Sequence, residues 1–302
     1  VHRRKKLNSP VQKPPLRAWI LLIILALIWG SSFILIKRGL VGLTPQMVGS
    51  LRIVAASLFL LPFAIHRLSR VSRSHWKYLA SIGFLGSLIP SFLFAIAQTQ
   101  LDSAVTGVLN ALTPIFTVLV GLIVYKQRQK ANIFVGISIG FIGAVILSLA
   151  GASGALSFNL FVFFVVAATL CYGLNLNIIK YHLGNLQALT VTSISLMLTG
   201  PVALIHLAVF TDFFPRVLAE PAVQLAAGYI ALLGVMGTAI ALIIFNKVVQ
   251  ITEPVFASSV TYIIPIVAVV WGVLDNETLQ VMHFVGMATI LVGVYITNRI
   301  RS

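Results

Sequence analysis

The side chains of this 302-residue chain that could do chemistry are few, and they sit inside long apolar runs. Ser31 and Ser32 lie in the first run, Gln98 and Thr99 close a third, and Thr106, Asn110 and Thr113 lie in a fourth. In the second half the same types recur as Tyr172, Asn175 and Asn177, then as Ser258, Ser259, Thr261 and Tyr262. Neutral groups of this kind hold solutes or tie helices together. Bond-breaking chemistry needs a nucleophile with its base, paired acids or a metal cluster. No mid-run Asp pair, His-rich spacing or Gly-x-Ser-x-Gly turn appears, so no catalytic residue, cofactor or metal is expected and the chain does not read as an enzyme. Cys171 is the only cysteine, which excludes an intrachain disulfide and Cys-based metal sets.

One charge interrupts the pattern. Arg52 lies inside a run whose helix starts near Pro45, about 10 Å inward at ~1.5 Å per residue. A charge placed there faces a bundle interior by default and marks function. It is expected either to attract the carboxylate of an anionic or zwitterionic solute or to tie down helix carbonyls. No Asp or Glu occupies the middle of a run: Asp102, Glu253, Asp275 and Glu277 fall near helix ends, and Asp212 and Glu220 fall in a loop. A buried carboxylate is the usual holder of an organic cation, so cationic solutes are disfavoured. His206 and His283 are expected near an interface, with proton coupling through either as the alternative and facilitated export down a gradient the simpler reading.

The elements that position these groups follow from composition. Hydrophobic residues make up 59% of the chain and charged residues only 9%, whereas a water-facing surface needs roughly 25% charged residues. Runs of about 20 apolar residues cross a bilayer as helices. They fall at 18 to 38, 45 to 65, 77 to 99, 103 to 125, 131 to 150, 158 to 180, 187 to 210, 222 to 246, 254 to 274 and 279 to 298. An all-α integral membrane protein of ten transmembrane helices is therefore predicted. Residues 1–17 form an N-terminal arm, 18–150 and 158–298 two five-helix units, 151–157 a linker, and 299–302 a tail. If the arm is cytoplasmic, 17 Lys and Arg fall on its side of the membrane and 3 on the other, with Arg52 within a span. That bias orients helices on insertion and predicts both termini in the cytoplasm, in a cell inner membrane. The bland reading of the first run, a secretory signal peptide, fits its length poorly. The net charge of +15 is thus explained without nucleic acid.

The chain also repeats. Adding 143 takes Trp29, Gly30 and Lys37 onto Tyr172, Gly173 and Lys180, and Ser32 onto Asn175. Adding 151 takes Gly83, Gly86, Pro114 and Gly121 onto Gly234, Gly237, Pro265 and Gly272, and Asn110 onto Thr261. Adding 150 takes Gly136 and Gly143 onto Gly286 and Gly293. Five is odd, so the second unit enters from the opposite face and the repeats are inverted, a plan common among alternating-access carriers, with a solute site between the units. The glycines read as close helix contacts. Pro114 and Pro265 read as kinks, architectural or gating.

In these features the chain resembles the drug/metabolite transporter superfamily, EamA-like branch. The resemblance rests on Trp29-Gly30-Ser31-Ser32-Phe33 with Lys37, on Leu51-Arg52, on the paired Pro114 and Pro265 helices and on the glycine pairs that follow them. It implies an inner-membrane carrier exporting amino acids or related small metabolites through a cavity between two five-helix repeats. Other solutes (nucleosides, sugars, organic cations), and a channel or an intramembrane enzyme, remain competing readings. Members carry a Glu at the end of the Pro-containing helix in each repeat. Glu277 fits this in the second, and Lys126 is aligned with it in the first. The cavity wall is expected from Trp29, Ser32, Arg52, Gln98, Asn110, Tyr172, Asn175, Ser258, Thr261 and Tyr262. The partners expected are a small-molecule substrate and the lipid bilayer, with a homodimer allowed.

Overall fold

A computed structural model describes residues 15–127, 133–150, 159–251 and 260–301, so Ser258, Ser259 and the linker fall outside the described residues. Seven helices are long and apolar enough to cross a bilayer: Leu16–Leu40, Pro45–Arg70, Arg73–Ala97, Ser103–Ile123, Val162–His182, Ala188–Val209 and Pro221–Phe245. Three shorter apolar helices, Ile133–Leu149, Val260–Leu274 and Val281–Thr297, complete ten spans in two sets of five. No strand occurs among the described residues. In hydrocarbon each backbone N–H and C=O must be satisfied within its own segment, which leaves the helix as the structure these sequences can take. Between the seventh and eighth spans the segment bounded by Asp212 and Glu220, read as loop, forms a short helix, Phe213–Ala219.

The outside is covered by large apolar side chains such as Leu58, Ile205, Leu225 and Val270. The interior is filled by large apolar side chains such as Leu22, Ile53, Leu112 and Ile115, and the closest helix crossings are made by small residues, because helices surrounded by lipid gain from close approach and not from leaving water. These contacts are reciprocal between the repeats. Gly30 of the first span rests on Val267 of the ninth, and Gly173 of the sixth rests on Phe116 and Thr117 of the fourth. Gly234 of the eighth span rests on the Arg52 carbonyl of the second, and Gly83 of the third on the Ser195 carbonyl of the seventh. The fifth and tenth spans cross where Gly136 and Gly143 meet Gly293 and Gly286. The offsets of 143, 150 and 151 that relate the sequences thus relate the contacts. The fold is two inverted five-helix repeats, each packed largely on the other.

Several spans depart from regular α-helix at matching places. The third widens into a π-helical turn at Phe84–Leu88 and the eighth at Leu233–Ile240, equivalent positions in the two repeats. Such turns leave carbonyls poorly matched within the helix and recur at functional sites. The first span breaks at Ser31, between Leu16–Gly30 and Ser32–Leu40. The fourth tightens to a 3-10 turn at Asn110–Leu112, just before Pro114. Proline has no N–H, so the Asn110 carbonyl loses its i+4 donor, and it accepts instead from the Thr113 N–H of the 3-10 turn and from the Thr113 hydroxyl, the latter at 2.8 Å. Pro265 sits within the unbroken helix Val260–Leu274.

Candidate functional site

The π-helical turn of the eighth span gathers the centre of the molecule. Trp29 Nε1 donates to the Gly237 carbonyl at 2.9 Å, and the Trp29 ring packs against Phe245 at 5.4 Å. On the next residue, Thr238 Oγ1 accepts from Arg52 Nε at 3.1 Å. Arg52 also interacts electrostatically with Tyr172, whose ring stacks on Phe94 at 5.9 Å. Spans one, two, three, six and eight therefore converge on one place. Arg52 and Tyr172 lie among the helices, half-buried, with part of their surface accessible. A guanidinium carries five N–H donors in a fork that matches a carboxylate. Only the Nε donor of Arg52 is engaged among the described residues, leaving the outer edge of the fork open.

Other residues expected in the chamber wall divide into two groups. Gln98 follows Phe94 by one turn, and both polar atoms of its side-chain amide are buried without a partner among the described residues. Asn110, in the 3-10 turn, has its Oδ1 buried in the same condition. Asn175 lies one turn beyond Tyr172, its amide against Gly86 in the π-helical turn of the third span. Its counterpart Ser32 lies against Gly237 and donates to its own helix at Ile28 O, 3.1 Å away. Asn177 is fully used as a tie, donating to the Thr117 and Gly173 carbonyls at 2.9 Å each. Tyr262 reaches the Val294 carbonyl of the tenth span at 3.4 Å. Thr261 is engaged at the start of the ninth helix, and Tyr262 packs on the same core as Trp29 and Tyr172.

At one end of the bundle lies a charged cluster that the sequence does not announce as a unit. Lys37 Nζ lies 2.6 Å from Asp275 Oδ2 and 2.9 Å from Glu277 Oε1, and Arg38 pairs with Asp275. The Glu277 carboxylate is inaccessible and sits on the N-terminus of the fourth span. It accepts from Ser103 N at 2.9 Å, Ser103 Oγ at 2.6 Å and Ala104 N at 3.0 Å. Orphan amides and the helix dipole both favour an anion there. Burial works against the Glu277 charge, but the hydrogen bonds from Ser103, Lys37 and the Ala104 and Ser103 amides outweigh it and hold the carboxyl below its ordinary range. Burial, reinforced by Glu277, pushes the neighbouring Asp102 carboxyl up.

A model of the EamA-like transporter family matches the chain twice, over residues 16–149 and 159–299, once for each five-helix repeat. The chain belongs to the EamA-like transporter family. It is similar to an uncharacterized inner membrane transporter of Escherichia coli strain K12, YedA, with 25% identity over 92% of this chain and 89% of the relative. An uncharacterized transporter of Archaeoglobus fulgidus is 26% identical over 95% of this chain and all of its own length. A solved crystal structure of another protein superposes with a TM-score of 0.62 over 95% of this chain and 99% of that one, at 16% identity, and shows the fold alone. The chain is a multi-pass membrane protein of a transporter family.

Within this EamA-like chain the structure corrects one alignment. Lys126 and Asn276 both adopt positive φ, 52° and 58°, and the residue after each donates its N–H at 2.9 Å to a glycine carbonyl, Gln127 to Gly121 and Glu277 to Gly272. Gln127, and not Lys126, is thus the counterpart of Glu277. The first repeat carries one more residue between the glycine and this turn, so the count of 151 from Gly121 runs one position out of register. Near Gln127 the opposite end of the bundle is aromatic: Tyr125 stacks on Tyr181 at 4.2 Å, Tyr78 on His182 at 4.1 Å, and Gln127 donates to the Tyr181 hydroxyl.

Proposed function

We propose that this transporter exports small metabolites that bear a carboxylate, amino acids foremost, by alternating access around the chamber at Arg52. The observation that carries the reading is the open fork of Arg52, fixed by Thr238 at Nε and adjoining the accessible Tyr172 side chain. A carboxylate met there completes two charge-assisted hydrogen bonds. The face of Trp29 and the Tyr172 hydroxyl suit the ammonium of a zwitterion, since aromatic faces attract cations. The chamber as described holds no carboxylate that would select a bare organic cation. The Lys and Arg bias supports cytoplasmic termini in an inner membrane, which sets the end with Lys37 and Glu277 on the extracytoplasmic side.

Purified protein in liposomes is expected to show saturable counterflow of labelled amino acids or related carboxylates. Arg52→Gln should weaken their exchange about 10- to 100-fold, the scale of ~1.5–3 kcal/mol for a hydrogen bond to a charged group, while leaving membrane abundance normal. Saturable exchange of nucleosides or sugars that Arg52→Gln leaves unchanged would assign the carrier another solute class.

A further inference from the structure

The clusters at the two ends of the bundle occupy equivalent places. Adding 143 takes Lys37 and Arg38 to Lys180 and Tyr181, and adding 150 takes Tyr125, Lys126 and Gln127 to Asp275, Asn276 and Glu277. The backbone agrees, through the matching left-handed residues and the matching N–H bonds to Gly121 and Gly272. In each case a Cβ added to that glycine would meet the following Gln127 or Glu277 side chain, so both turns are folded tightly back on their helix. What differs is chemistry. Where Arg38 pairs with Asp275 at one end, Tyr181 stacks on Tyr125 at the other, the rings only 9° from parallel. Where Glu277 holds a lysine and a helix terminus, Gln127 offers a neutral amide to a phenol.

Both clusters join one repeat to the other. Lys37, Arg38 and Ser103 belong to the first repeat and Asp275 and Glu277 to the second; Tyr78, Tyr125 and Gln127 belong to the first and Tyr181 and His182 to the second. A rocking motion of inverted repeats must pull either cluster open while keeping its counterpart closed. We infer that these clusters are the two gates of the carrier, an ionic gate of Lys37, Arg38, Asp275 and Glu277 at one mouth and, at the other, a gate of Tyr125, Gln127 and Tyr181 that is neutral in its direct bonds, with Lys180 Nζ over the Tyr181 ring at 5.4 Å. Identical repeats would give two mirror-image states of equal energy. Unequal gates break that balance, and the gate with charge-assisted bonds is the harder to open. Both clusters are formed in the structure, and from this doubly closed arrangement the neutral mouth opens the more readily and loads solute while the ionic mouth stays shut. This rests on the alternating-access reading above and adds residues and an order of opening to it.

The test places a reporter, Asn175→Cys in a Cys171→Ser background, and follows its reaction with a membrane-impermeant maleimide added on either side of oriented vesicles. Glu277→Gln and Lys37→Met are expected to speed labelling from the ionic side at least ~5-fold and to slow it from the other. Tyr181→Ala is expected to shift accessibility the opposite way. Equal labelling rates with and without these changes would make the clusters static braces and overturn the inference. In case the single variants fold poorly, a reversible thiol cross-linker between Arg38→Cys and Asp275→Cys serves as a second arm. Pinning should stop labelling from the ionic side and halt exchange until reduction, and pinned carriers that exchange at the unpinned rate would overturn the gate assignment. The labelling arm involves no solute, so it reads out even if carboxylates prove not to be carried.

Discussion

Two charged residues illustrate how far single positions can be read. Arg52 is legible because an apolar run exposes any charge it contains, and the structure adds what the sequence could not, namely which donor is used and which remain open. Glu277 reads in the sequence only as an acid near a helix end. Its meaning depends on two partners more than 170 residues away in the chain, Ser103 and Lys37, a juxtaposition that no local pattern encodes. A signal is nevertheless present: Lys37, Arg38, Asp275 and Glu277 fall at the ends of odd-numbered spans, hence on one face, where few other charges occur. The Glu277 pairing carries an acid dependence. Its folded pKa lies below the ordinary glutamate value of about 4.3, so the stabilisation is complete above that value and is lost as pH falls through the lower folded one. Asp102, pushed up chiefly by burial, runs the other way, its unfavourable charge being relieved first as pH drops, with the Lys37 ammonium opposing the rise. Melting midpoints in detergent from pH 7 to pH 3 should therefore fall only at the acid end. Glu277→Gln should lower the neutral-pH stability by about 1.5–3 kcal/mol and flatten that acid limb; a limb of unchanged steepness would remove Glu277 as its source.

At the scale of single helices, the spans themselves are legible because length and hydropathy decide them, whereas their irregularities are only half visible. Proline announces a kink at Pro114, yet the same residue type at Pro265 leaves its helix unbroken, so what surrounds the ring decides the outcome. The π-helical turns carry no proline at all in the eighth span, and their signal is instead the repetition of Gly83 and Gly86 as Gly234 and Gly237. In the fourth span the Thr113 hydroxyl replaces the donor that Pro114 lacks. Thr113→Val keeps the volume but leaves the Asn110 carbonyl with the Thr113 N–H alone, and it should cost about 1 kcal/mol, the usual scale of a hydrogen bond within a membrane. Thermal unfolding of the purified variant checks this; a neutral effect would show that the Thr113 N–H alone satisfies the carbonyl. At Gly173 the obstruction to any side chain is the backbone of Phe116 and Thr117, which cannot swing aside.

For the molecule as a whole, two repeats are readable from offsets alone, and the odd helix count makes their inversion a matter of arithmetic. Which helices touch is not readable, since that depends on how the halves interleave. Orientation in the membrane is the prediction that belongs at this scale. Cysteines introduced beside Arg70 and beside Arg216, in a Cys171→Ser background, should label from opposite faces, with the Arg70 side cytoplasmic. Labelling of both from one face would undo the inverted arrangement and every role assigned around the chamber.

The interleaving also bears on biogenesis. The N-terminal half of the first span finds its seat against the eighth and ninth, through Trp29 on Gly237 and Gly30 on Val267, whereas the sixth meets the fourth, already made, through Gly173 and Phe116. During synthesis the half of the leading helix before the break at Ser31 must therefore wait in lipid until about 200 further residues have emerged, while Phe33 beyond the break already has Phe94 of the third span to pack against. Assembly accordingly begins in the middle of the chain and ends by enclosing its earliest segment.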